Sequence, residues 1–183
     1  MARISGWNSQ PGTVPHIISS SPGHNELNVP ASTNLAAVFD MEMDSSSVNN
    51  SSFFASASSS GVHPGVIGYN IQNKTATLDP LSDFEVGETV TVTLTIGIHS
   101  SQGTPLASNY IWSFNIMINR GDCNGDGVIN VGDVVFLVNY LFKDGSSPDP
   151  LETGDANCDE QVNVGDVVYL INYLFRSGIP PSC

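Results

Sequence analysis

The sequence predicts a mainly β protein that ends in a small α-helical module. Three observations carry that prediction. From His16 to Ile116 the chain runs in short stretches rich in Val, Ile, Thr and Phe, broken by clusters of Gly, Pro, Asn and Ser. From Gly121 to Gly178 it says one thing twice: aligning Asp122 with Asp155 gives an offset of 155 − 122 = 33 that holds without a gap. Near Arg120 the composition changes, and 183 residues suit one or two domains. The expected division is an extended segment over 1–14, a β-sandwich over 15–118 and the repeat module over 119–183.

The first segment is polar and rich in Gly and Pro. Taken alone it reads as a disordered lead; ordered, it would either lie along its own domain or add a strand to a neighbour's sheet edge. Seven strands follow: HIISS, NLAAVF, FFASAS, VIGYN, TATLDP, ETVTVTLTI and YIWSFNI. Seven short strands in about a hundred residues is a sandwich profile. In ETVTVTLTI, Val90, Val92, Leu94 and Ile96 alternate with threonines, so those four should face a core. Trp112 and Phe114 alternate on the last strand and belong to the same core. The serine-dense stretch Asp44 to Gly61 reads as a polar loop and an edge strand. Asn49, Asn50 and Asn73 satisfy N-x-S/T and are the candidate glycan acceptors.

Several runs here resemble the bacterial Ig-like modules of surface-layer and secreted proteins: SSPGHNELNVPASTNLAAVFDMEMD, LSDFEVGETVTVTLTIGI and GTPLASNYIWSFNI. The resemblance covers about residues 14 to 117 and implies an Ig-like β-sandwich acting as a spacer, with no active site. It also implies that Phe39 and Asp40 end a strand and that Met43 and Asp44 open a helical turn.

Each copy of the repeat opens with oxygen-bearing residues at positions 1, 3, 5, 9 and 12 of a 12-residue loop. They are Asp122, Asn124, Asp126, Asn130 and Asp133, then Asp155, Asn157, Asp159, Asn163 and Asp166. A hard cation takes six to eight oxygens, and a loop wrapped once around it presents alternate side chains inward. Position 7 offers a backbone carbonyl, so Val128 and Gln161 complete the two sets. Two calcium ions are therefore expected. Gly127 at position 6 permits a positive φ, whereas Glu160 takes that place in the second loop at some cost in strain. Asx residues also close turns unaided, but two copies in register favour the metal reading.

One apolar helix follows each loop, DVVFLVNYLF and DVVYLINYLF, and nothing amphipathic precedes either. With D-x-N-x-D-x-x-x-N-x-x-D in both copies, residues 120 to 183 resemble a type I dockerin module. Val134, Leu137, Val138, Leu141, Val167, Leu170, Ile171 and Leu174 recur at helical spacing and are the expected helix-pair core. Tyr140, Phe142, Tyr173 and Phe175 exceed what so small a core needs and are available to cover a neighbouring surface. The dockerin resemblance implies antiparallel helices, which return the chain end beside the first loop. On that basis Cys123–Cys183 is the favoured disulfide and Cys158–Cys183 the runner-up. Zinc is disfavoured because no histidine lies near these cysteines.

The net charge of −13 and the lack of a basic stripe argue against nucleic acid. No run approaches the 18 apolar residues of a membrane-spanning helix. His16, His24, His63 and His99 stand far apart, and no nucleophile elbow or HExxH helix is present, so no catalytic residues are assigned. Asp40 with Asp44 could be imagined as a glycosidase pair, but a turn and a cap are the simpler reading. The expected function is that of a non-catalytic extracellular calcium-binding structural protein, polymerising with copies of itself as a surface fibre or layer. Two alternatives stand beside it: a module anchoring to a cohesin-like receptor, and the end of a larger secreted enzyme. Cellulosomal dockerins commonly place a Ser-Thr type pair at loop positions 10 and 11. Here those are Val131–Gly132 and Val164–Gly165, a departure from that pair, and an ordered N-terminal segment would contact a neighbouring copy; together these rank self-assembly ahead of cohesin binding. No signal peptide is visible in MARISGWNSQPG, and secretion is inferred from the calcium loops. The near absence of a linker suggests two domains packed as one semi-rigid unit.

Overall fold

The computed structural model describes residues 13–181, and the chain divides after Ile116 into two compact units. The segment expected over 1–14 lies outside the described residues, apart from its last two.

The first unit is a sandwich of two four-stranded sheets, antiparallel throughout. One sheet has the order β1 (Ile17–Ser21), β2 (Leu35–Phe39), β6 (Thr75–Pro80), β5 (Gly65–Asn70). The other has the order β4 (Gly61–His63), β3 (Phe53–Ala57), β7 (Thr89–Leu94), β8 (Tyr110–Asn115). Alternation decides the core. Leu35, Ala37 and Phe39 of β2 and Ala76 and Leu78 of β6 are buried, as are Val90, Val92 and Leu94 of β7 and Trp112 and Phe114 of β8. Phe53 of β3 lies 6.4 Å from Trp112, ring centre to ring centre, within the range of favourable aromatic pairing.

Three expectations change. Ile96 is 56% exposed because β7 stops at Leu94: the Ile98 N–H turns back to the Thr95 carbonyl, and Ile98 takes the buried place instead. β3 is not an edge strand, since β4 and β7 flank it. β4 itself was not anticipated, because three residues hold too little alternation to register.

Asp44 caps the short 3-10 turn Ser45–Ser47 by accepting from the Ser46 N–H, and Asp40 accepts from the His16 N–H. Those bonds give both carboxylates structural work and hold their pKa values below the ordinary range. For Asp44 the main cause is the Ser46 hydroxyl; for Asp40 it is the His16 N–H.

The second unit holds α1 (Val131–Phe142) and α2 (Val164–Arg176). Its core follows the repeat: Val134 with Val167, Leu137 with Leu170, and Cys123 with Ala156 are all buried, each pair at equivalent positions. Val138, Leu141, Ile171 and Leu174 pack against that core half-buried. A core this small yields little hydrophobic stabilisation, so the loops must contribute.

The cysteines overturn the favoured bridge. Cys123 is a free, buried thiol, and Cys158 is disulfide-bonded. Position 2 of each loop is a small buried site, filled by Cys123 in one copy and Ala156 in the other, so the Cys123 sulfur points into core. Cys183 lies outside the described residues.

Candidate metal centre

Each loop is held by the same ladder of side-chain to backbone bonds. In the first, Asp122 Oδ1 accepts from the Asp126 N–H at 3.1 Å and Oδ2 from the Gly127 N–H at 2.9 Å. Asn124 accepts from Asp126, and Asp126 from Val128. Asp133 closes the ring, its Oδ1 accepting from the Asn124 N–H at 3.2 Å and its Oδ2 from the Asn130 N–H at 2.8 Å. The second loop repeats this with Asp155, Asn157, Asp159 and Asp166, the last two bonds again measuring 3.2 and 2.8 Å.

The loop ends are also helix starts. Asn130 caps α1 by accepting from the Gly132 N–H while Asp133 returns the bond to the Asn130 N–H, a complete capping box. Asn163 and Asp166 do the same for α2. One carboxylate in each copy therefore serves both the loop and the helix.

The four carboxylates at positions 1 and 12 are buried, Asp133 and Asp166 fully so. Taking an ionised carboxylate out of water is costly unless a cation or a full set of hydrogen bonds compensates. Burial pushes the Asp166 carboxyl above its ordinary range; N–H groups of Asn163 and Asn157 oppose this, and the charges of Asp155 and Asp159 add to it. Among the described residues the cation paired with any of the four is Arg120, whose Nη1 lies 2.6 Å from Asp155 Oδ2.

Among the described residues no three His, Cys, Asp or Glu side chains form a metal cluster by themselves. The donors are mixed instead: carboxylates alternate with amides, joined by a backbone carbonyl. This all-oxygen set suits a hard cation such as calcium and not zinc. Buried, under-compensated negative charge and an oxygen-only ring make the two loops fit for calcium. Asn130 and Asn163 have committed their Oδ1 atoms to helix caps, so they suit contact through a water, as is common at position 9.

A family model described as a bacterial Ig-like domain matches residues 11–116. The chain belongs to that family. A second model, the dockerin type I domain, matches residues 120–175, so the chain is an Ig-like domain followed by a dockerin domain. Both are non-catalytic modules, type I dockerin domains bind calcium and cohesin partners, and both are typical of extracellular and cell-surface proteins. Among the described residues no helix is long and apolar enough to cross a membrane.

No curated protein matches the chain. Among solved structures it is similar to the surface layer protein SbsC, domains 1–6, at 17% identity and a TM-score of 0.45, covering 58% of this chain and 14% of that one. It is also similar to native alpha-2-macroglobulin from E. coli, at 16% identity and a TM-score of 0.46, covering 60% of this chain and 6% of that one. A third is PcoC, a methionine-rich copper resistance protein from E. coli, at 15% identity and a TM-score of 0.46, covering 56% of this chain and 98% of that one.

In the Ig-like domain Asn49, Asn50 and Asn73 are exposed, and the Asn49 amide nitrogen donates to the Ser46 carbonyl. His63 has no partner at ligand or triad spacing along the sequence. The fold brings it 2.6 Å from Ser60 Oγ, which also lies 2.8 Å from Glu88 Oε1. Burial works to raise the Glu88 pKa, but bonds from Ser60, Glu85 and Ser59 outweigh it and leave the carboxyl lowered. Glu88 bonds to the serine and not to the imidazole, so this is a part-buried brace and not a nucleophile triad.

Proposed function

We propose that this protein is a non-catalytic extracellular anchoring module. Its dockerin domain, loaded with two calcium ions, would present a duplicated apolar face to a cohesin-like receptor. The ligands would be Asp122, Asn124, Asp126, Asn130 and Asp133 with the Val128 carbonyl, and Asp155, Asn157, Asp159, Asn163 and Asp166 with the Gln161 carbonyl. Calcium supplies positive charge to loops that otherwise repel themselves, and at extracellular millimolar levels even modest affinity suffices. Because Asp133 and Asp166 also cap the helices, ordering a loop orders its helix.

The carrying observation is the exposed helix face. Val131 and Val164 are 56% and 55% exposed, and Phe142 and Phe175 are 65% and 66% exposed, pairs that sit 33 residues apart. Large aromatics left in water twice over, on a module too small to bury more, mark a partner surface. Val131–Gly132 and Val164–Gly165 make that face apolar where a Ser-Thr type pair would make it polar. The fibre reading rests on the N-terminal segment outside the described residues, so anchoring now stands first. A catalytic domain elsewhere in a longer chain would leave this role unchanged.

Calorimetry against a cohesin-type receptor in calcium tests the reading. Phe142→Ala or Phe175→Ala alone should leave affinity within about a factor of two, since one face remains intact. The double variant should lose about a hundredfold, as loss of aromatic anchors does. Wild-type protein that binds no such receptor would sink it.

A further inference from the structure

The two loops share one hydrogen-bond pattern but not one charge environment. Asp122 Oδ2 receives, besides the Gly127 N–H, the neutral Asn119 amide at 3.1 Å. Asp155 Oδ2, its equivalent, receives the Glu160 N–H and the guanidinium of Arg120 at 2.6 Å. Arg120 comes from the entry to the first repeat, and its own equivalent, 120 + 33 = 153, is Thr153. Among the described residues the first loop therefore has no matching cation. Arg120 Nη1 also lies 3.1 Å from both the Glu152 and the Asp155 carbonyls, and its side chain is only 20% exposed. The guanidinium is thus held by three acceptors at the mouth of the second loop. It lines a cleft of about 290 Å³ with Leu151, Glu152, Asp155, Glu160 and Val162. Glu160 and Glu152 are exposed and screened by solvent, so they offset the Arg120 charge less than their number suggests.

We propose that Arg120 is a built-in counter-cation for the second loop, and that the two calcium sites consequently load in order, the first loop before the second. This rests on the calcium reading of both loops. Before calcium arrives, Arg120 compensates the buried Asp155 carboxylate and ties the second loop to the start of the first repeat. When calcium arrives, the same positive charge opposes it. The first loop has no such opposition and fills at lower calcium.

The test is a calcium titration of the full chain by amide NMR. The Gly127 and Glu160 N–H groups, both donors to a position-1 carboxylate, report the two loops separately. Wild-type protein should show Gly127 shifting at lower calcium than Glu160. Arg120→Gln removes the charge and keeps a donor. It should tighten the Glu160 step about tenfold, the size expected of one unit charge close to a divalent ion in a water-like medium, and leave the Gly127 step in place. Arg120→Lys, which keeps the charge, should restore the wild-type order. Simultaneous loading in wild type, or a second step unchanged or weakened in Arg120→Gln, overturns the inference while leaving the calcium reading intact. Calcium that moves neither amide overturns both.

Discussion

The first and second loops reach the same backbone by different means. Positions 4 and 6 are left-handed in both: Gly125 and Gly127 have φ of 72° and 84°, and Cys158 and Glu160 have φ of 63° and 66°. Glycine adopts that conformation freely, whereas an L-residue with a side chain is strained there by about 1–2 kcal/mol each. The second loop also carries a disulfide at Cys158 and a guanidinium at Asp155, neither of which has a counterpart in the first among the described residues. The first loop is built from permissive residues and the second from constrained ones. A repeat is thus conserved in geometry while its halves draw stability from different sources.

Chelation acts on both loops and should have the largest effect. Removing calcium from a site held at about a thousand times its dissociation constant forfeits about 4 kcal/mol, enough to melt a unit with this little core. Far-UV circular dichroism of the intact chain in EDTA should lose the helical contribution of α1 and α2 and keep the sheet signal. An unchanged spectrum would break the comparison, because neither loop would then need its ion.

Reduction should separate the loops. Opening the disulfide at Cys158 should cost about 2–4 kcal/mol and loosen the second loop only, read as selective loss of hydrogen-exchange protection at Glu160 and not at Gly127. Peptide mapping without reductant should place Cys158 in a linked peptide. Cys123, whose thiol is pushed up to about 12 by burial and then by the charges of Asp133, Asp122 and Asp166, should resist alkylation until the dockerin domain unfolds.

Exchanging position 6 is the finest probe. Glu160→Gly should stabilise the calcium-loaded chain by about 1 kcal/mol and Gly127→Glu should destabilise it by a similar amount, both read as shifts in the dockerin melting transition. Equal and opposite shifts would locate the difference in the backbone. Unequal shifts would mean that the Glu160 carboxylate interacts with Arg120 across the cleft they share.

Most of the fold and of both rings was legible because their signals are local. Seven strands could be read from alternation and turn residues, and the ring residues from fixed spacing within twelve positions. What escaped was set by contacts between distant residues. Arg120 meets Asp155 across 35 positions, and Ser60 meets Glu88 across 28, with no spacing rule joining either pair. The disulfide was misjudged for the same reason: spacing could not reveal that position 2 faces core. Ile96 kept the apolar period past the end of its strand, because periodicity records which residues prefer burial and not where a turn intervenes.

Asp133 and Asp166 cannot be altered without disturbing a helix, since each closes a loop and completes a capping box. Gly125 and Gly127 differ: a Cβ at either would meet nothing within 4 Å, so only the backbone resists change there. Each loop therefore has a fixed rim and two free dials. Positions 4 and 6 can change one repeat at a time without touching the helices that carry the exposed apolar residues, and the second repeat differs from the first at both.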